Sequence, residues 1–411
     1  MRYSSTDEKL LEFMAEIEVI DAHEHLPPER VRVSFKVDVM TLFSHYTRTD
    51  FISAGMSPQD YERMINPEEP LEERWKIFKP FFKFIRYGSY ARPALIAVKE
   101  FYGFDDITDD NYMAISERMM AENTQGIYKR ILWDKCHIRA VLTQAGRTDY
   151  DLDYLIPLMP MDTYASVRSA EEVEKRAENL KVQVKDLDDY LQLARKGIER
   201  WKSEGAVGLK TRAQPNDPPD RKAAEEAFKK ILNGGKGANL KALYDYLVNE
   251  IMEICADLDM VVAVHAGMWG DFRVLDPKHM IPVFPRHPRT RFDLYHMGMP
   301  WVRDTGVIGK NNQNVWLNLC WCHIISPEMT CSALDEWIDL VPINKIIAFG
   351  GDYSRPLEKV YGHLLMAKED IARVLARRID RGLMGFDDAI FIIKRWFWDN
   401  PKELYKLDLT E

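Results

Sequence analysis

Eight short apolar segments, most of them separated by longer stretches of helical spacing, constrain this chain more than any other feature. They run over residues 18–26, 138–142, 154–159, 206–210, 260–265, 292–296, 315–319 and 346–349. Between them, apolar residues recur at three- and four-residue intervals over 171–177, 187–204, 240–258, 300–309 and 327–340. Buried strands alternating with helices predict an α/β fold with a parallel sheet, and eight of them predict closure into a TIM-type (β/α)8 barrel. A helix over 6–17 leads into the first strand, and amphipathic helices over 356–381 and 386–399 close the chain.

The alternation is broken once. From about Pro27 to Tyr128 no strand pattern occurs, while 71–87 and 91–102 carry helical spacing rich in Trp, Phe and Tyr. The segment 27–128 therefore reads as a helical insertion after strand one, too long for a connector and placed to act as a lid or wall over one end of the barrel. The chain of 411 residues is expected to form one barrel domain over 1–411 that includes this insertion.

A hydrophobic content of 46% supports a sizeable core and speaks against disorder. The formal net charge of -9 opposes a general phosphate-backbone binder, so no nucleic-acid partner is expected. The densest basic run, Arg373, Arg377, Arg378 and Arg381, is spaced as the solvated face of a helix. No apolar run approaches the ~18 residues of a membrane span and the first residues lack the apolar core of a signal peptide, which predicts a cytoplasmic protein without a membrane partner. Five cysteines make no disulfide framework, and Cys320 and Cys322 are expected as buried thiols in a strand. Homo-oligomerisation stays open.

The polar residues that matter stand at strand ends. Strand one ends in His23-Glu24-His25, and alternation puts both imidazoles on one side, within reach of one ion. Lys210 ends strand four, His265 strand five, His296 strand six, and Asp352 follows strand eight. Singly, each has an ordinary explanation: a core histidine, a helix cap, a surface lysine. Together they ring the C-terminal face of a parallel barrel, where such barrels place their active sites. A metal-binding cleft for a small-molecule substrate is the expectation.

An aspartate-preceded His-Xaa-His, a Lys after strand four, a His after each of strands five and six and an Asp after strand eight resemble the amidohydrolase superfamily of metal-dependent barrels. The stretches around Asp293 to Trp301, Leu319-Cys320-Trp321, Phe349-Gly350-Gly351-Asp352 and Asp399-Asn400-Pro401 are similar to its amidohydrolase-related branch. The insertion, with His45-Tyr46-Thr47-Arg48, is similar in placement to that of uronate isomerases. The sequence departs from the family pattern at Gly351, where a serine is frequent, and has Glu24 between the two histidines.

This resemblance implies a divalent metal, most readily one Zn, with Mn or Fe as alternatives, held by His23, His25, His265 and Asp352. His296 is then a further ligand or a catalytic residue that polarises the substrate. Lys210 either bridges two ions as a carbamate or, as a plain ammonium beside a single ion, holds a substrate carboxylate; the single ion is preferred. Such an ion lowers the pKa of bound water to about 7, against ~9 for the free aquo ion. Asp352 would move the proton and His296 would stabilise the oxyanion, with Lys210 as a third catalytic group. Arg212, Trp269, Arg273, Trp301, Tyr353 and Arg355 are candidate substrate-binding residues, and the arginines favour a carboxylate-bearing substrate. The leading expectation is a metal-dependent hydrolase that cleaves a carbon–nitrogen or carbon–oxygen bond. Uronate-isomerase-like isomerisation, non-oxidative decarboxylation and a barrel retained only for binding stay open.

Overall fold

The computed structural model describes residues 4–212, 214–215 and 217–409. Eight strands follow in chain order: β1 Val19–Glu24, β2 Ile138–Thr143, β3 Leu155–Pro160, β4 Gly208–Thr211, β5 Val261–Val264, β6 Arg291–Leu294, β7 Val315–Asn318 and β8 Ile346–Ile347. They form one sheet in the order β1 to β8, and every neighbouring pair is parallel. The seam beside β8 is bridged by Ala22 N–H donating to Phe349 O (3.1 Å) and Asp352 N–H donating to His23 O (2.8 Å). This is the nearly closed barrel that eight buried, alternating segments predict.

Helices pack outside it. Those at Ala170–Leu180, Leu187–Ser203, Leu240–Asp257, Val302–Asn311 and Pro327–Leu340 match the spacing of their segments to within a few residues. A further helix, Arg221–Leu232, buries Ala224, Ala227, Phe228 and Ile231. Its three- and four-residue apolar spacing was present in the sequence, but the surrounding Lys and Glu residues mask it. The chain's C-terminal end turns back onto the barrel: Trp398, Leu404, Tyr405 and Leu407 pack with Ile20, Ala140, Leu158, Val261 and Ile347.

Among the described residues, 27–128 contains helices and turns and no strand, as expected of the insertion. It has a core of its own, in which Phe43, Phe51, Tyr61, Phe78, Phe82 and Tyr102 interlock. Arg32, fully buried, ties this layer to the barrel: it is ion-paired with Glu358 (3.1 Å), donates to the Arg355 carbonyl (3.1 Å) and bonds Asn123. Glu358 opens the long helix Lys359–Asp380, six residues after Asp352.

Three local expectations are corrected. Strand six stops at Leu294 rather than continuing to His296, because His296, Met297 and Gly298 take left-handed backbone angles (φ 62°, 51° and 61°). Cys320 and Cys322 are buried, but they lie beyond the end of β7 in a turn and the start of a short helix. The arginine run on Lys359–Asp380 is not simply solvated: Arg378 is 4% exposed, and Arg373, Arg377 and Arg378 pair with Glu328, Asp335 and Asp339 on the facing helix. No helix of the described residues is long and apolar enough to cross a membrane.

Candidate metal centre

The strand ends converge as parallel topology requires. His23 and His25 leave β1 on one side, and the Nε2 atoms of both approach a single oxygen, Asp352 Oδ1, at 3.1 and 3.2 Å. The left-handed turn after β6 brings His296 inward: ligand atoms of His23, His296 and Asp352 all lie within 4.8 Å of one another. His265 stands beside this group, its Nδ1 3.2 Å from His296 Nε2. His23, His265, His296 and Asp352 are buried, and His25 is the partly exposed member at the mouth, with 32% of its side chain accessible.

Main-chain and side-chain partners fix these groups. His296 Nδ1 faces the Cys320 carbonyl at 3.0 Å. The loop bearing Asp352 is gripped from β1: Gly351 N–H donates to Asp21 Oδ1 (3.0 Å) and Tyr353 N–H to Glu24 Oε2 (2.5 Å). Burial pushes the Asp21 carboxyl up to about 7 and the Glu24 carboxyl well above its usual range, so the facing acids keep a proton between them at moderate pH. A Cβ at Gly351 would lie 1.8 Å from Glu24 Oε1. The two departures from the family pattern are thus one feature, because Glu24 occupies the space a side chain at 351 would need.

The donor set fits a divalent cation. Burial holds His23 and His265 well below 6.5 and brings His296 down to about 4, which leaves neutral imidazoles with lone pairs to give. Burial opposes ionisation of Asp352, but the neighbouring His23 and His25 outweigh it and keep the carboxyl well below the usual range. Asp352 Oδ1 faces only the two imidazole nitrogens, and Oδ2 is buried with no hydrogen-bond partner among the described residues. A buried carboxylate whose neighbours are imidazole nitrogens, with one oxygen unpartnered, is costly unless a cation completes it.

Lys210 projects from β4 with its ammonium 3.9 Å from the centre of the Tyr295 ring, and burial lowers its pKa to about 8. Arg212, just past the strand end, is exposed. Trp269 stacks on Tyr46 of the insertion at 4.1 Å and 13°, and Trp321 meets Tyr46 edge-on at 5.1 Å. His45 lies 6.5 Å from the His25 ring, its Nδ1 buried without a partner among the described residues, and burial takes its pKa down to about 4. Tyr353 is fully buried behind Asp352 against Trp321 and His363. The remaining candidates are engaged elsewhere. Arg273 is exposed and paired with Asp271 (2.7 Å), Trp301 packs near Phe272 (5.6 Å), and exposed Arg355 covers Phe35 (4.9 Å).

Sequence reasoning missed Gln144, at the end of β2, which touches both histidines of β1. It carries no signature, since a lone glutamine after a strand has no spacing partner. The His45 and Tyr46 contribution was visible only as a short similarity within the insertion.

Residues 167–407 match the family model described as amidohydrolase. No curated protein matches the chain by sequence. Among solved structures, a glucuronate isomerase from Caulobacter crescentus superposes with a TM-score of 0.81 at 18% identity, covering 99% of this chain and 95% of that one. A uronate isomerase from Thermotoga maritima gives 0.79 at 15% identity, with 98% of each chain covered. A protein assigned as a metal-dependent hydrolase from Lactobacillus casei gives 0.67 at 16%, with 97% of each covered. At these identities the structural likeness shows a shared fold, insertion included.

Proposed function

We propose that this chain, which belongs to the amidohydrolase family, is a metal-dependent hydrolase cleaving a carbon–nitrogen or carbon–oxygen bond of a small, carboxylate-bearing molecule. The observation that carries this reading is Asp352, a buried carboxylate with one oxygen set between the His23 and His25 nitrogens and a second oxygen without a hydrogen-bond partner among the described residues. His23, His25 and Asp352, with one member of the His265–His296 pair, would hold the ion, zinc being the first choice for this nitrogen and oxygen donor set. When bound, such an ion polarises a carbonyl oxygen and acidifies water.

The chain's own groups do the rest. The free Asp352 oxygen accepts a proton from the attacking water and returns it to the leaving nitrogen or oxygen. The histidine not engaged by the ion would face the oxygen that gains charge as the carbonyl becomes tetrahedral; a neutral His296 spends its N–H on the Cys320 carbonyl and would donate from Nε2 only after taking up a proton. Lys210 and Arg212, on the β4 side, give the substrate carboxylate a cationic seat, and the Tyr46–Trp269 stack forms an apolar wall that limits water.

A second reading, isomerisation of a sugar acid, is favoured by His45 and Tyr46, which the insertion carries to the mouth of the cleft. His45 is a neutral imidazole whose buried Nδ1 has no partner among the described residues, leaving it able to take up a hydrogen bond from a substrate hydroxyl. The structural neighbours named as uronate isomerases support it to the same extent. Incubation with N-acyl amino acids and lactones on one side and hexuronates on the other separates the two. Chelator-sensitive release of acid from the first set supports hydrolysis. Conversion of an aldose acid to a ketose acid, with no hydrolysis, replaces it.

A further inference from the structure

Gln144 makes three contacts with three consecutive residues of the β1 end. Its N–H donates to the Glu24 carbonyl (2.8 Å), its carbonyl lies 3.1 Å from His25 Nδ1, and its side-chain amide nitrogen lies 2.8 Å from His23 Nδ1. A neutral imidazole has one N–H and one lone pair, so whichever partner holds Nδ1 decides what Nε2 can offer. Both Nε2 atoms point at Asp352, where the lone pairs are needed. For His25 the outcome is fixed: a main-chain carbonyl only accepts, Nδ1 carries the proton, and Nε2 is free.

For His23 it is not fixed, because a primary amide has an accepting end and a donating end of nearly the same shape. As placed, the amide presents Nε2, which puts the imidazole proton on His23 Nε2 and blocks that atom as a ligand. A half-turn about the last side-chain bond presents Oε1 at the same point and frees it. We infer that Gln144 is the positioning residue of the metal centre and sets the His23 tautomer by turning its amide, accepting from Nδ1–H when an ion is held at Nε2. The inference rests on the metal-dependent reading of this site. It adds a residue from β2 to a centre otherwise built from β1, β5, β6 and the loop after β8. Partners of ligating histidines that act in this way change metal affinity by about 10- to 100-fold when removed.

The test is zinc affinity, measured by competition with a chromophoric chelator, for the native chain, Gln144→Met and Gln144→Glu. Methionine keeps the length and can neither accept nor donate at that point, whereas an ionised glutamate only accepts; the main-chain contacts persist in both. The expected result is a loss of about 10- to 100-fold for Gln144→Met and native or tighter binding for Gln144→Glu, with metal-free melting temperatures close to the native value. Equal affinities for the native chain and Gln144→Met, or equal losses in both variants, overturn the inference while leaving the metal site standing. A native chain that takes up no zinc overturns the functional reading itself.

Discussion

Glu24 and Gly351 show how single residues shape the centre. Glu24 stands between two histidines, and its carboxyl fills the space beside a glycine that precedes Asp352. Gly351→Ala should therefore destabilise the chain by about 1–3 kcal/mol through overpacking. In a Glu24→Ala background the same change should cost distinctly less, a coupling that urea unfolding of the four chains would measure. Asp293 gives a prediction in pH. It is buried in β6, accepts from Tyr405 Oη (2.6 Å) and Asn318 Nδ2 (2.9 Å), and burial raises its carboxyl from 3.8 to about 7 despite those bonds. Between those values the folded chain holds a proton that the unfolded chain has lost. The stability this contributes is greatest at acidic pH and is lost as pH rises through about 7. Between roughly pH 5 and 8 the native chain should lose about 2–3 kcal/mol more than Asp293→Asn, which keeps the shape without the titration. Equal slopes for the two would show that Asp293 ionises normally.

At the scale of elements, a buried ion pair, Arg32–Glu358, joins the insertion to the helix that follows β8. Arg32→Met leaves the Glu358 carboxylate buried without its cation and should cost about 3–5 kcal/mol, whereas Arg32→Met with Glu358→Gln should cost less because no charge is stranded. Denaturant midpoints of both chains decide it, and a single variant no less stable than the double one would contradict the account. The elements themselves were legible in the sequence wherever burial imposed a period. Each β-strand is short, apolar and bounded by polar residues, so all eight were found, and their shared direction put His23, His25, Lys210, His265, His296 and Asp352 on one face. Reading failed where conformation rather than period decides. The left-handed turn at His296 looks like strand continuation, because its departure from the sheet is made by backbone angles that no apolar pattern records. Arg273, Trp301 and Arg355 followed the right strands, but loop geometry gave them partners of their own. Gln144 was invisible because its role depends on two main-chain atoms and one amide meeting three residues more than a hundred positions away in sequence.

For the whole molecule, the family match over 167–407 and the superposition of the full chain on uronate isomerases describe different things. The first covers β4 to the C-terminal segment, which supplies Lys210, His265, His296 and Asp352. The second includes the insertion, whose His45 and Tyr46 lie near His25 and Trp269. A chain whose converging strand ends hold an ion gains stability from binding it. Zinc at about a hundred times its dissociation constant should raise unfolding stability by about 2.7 kcal/mol, seen as a concentration-dependent melting temperature. The central claim, that the strand ends form a metal centre, is tested most directly by elemental analysis of protein purified without chelator. The native chain and Lys210→Ala should each carry about one equivalent of divalent metal, and Asp352→Asn less than about a tenth of one. A native chain with no more metal than Asp352→Asn, and no uptake when zinc or manganese is added, would contradict the account.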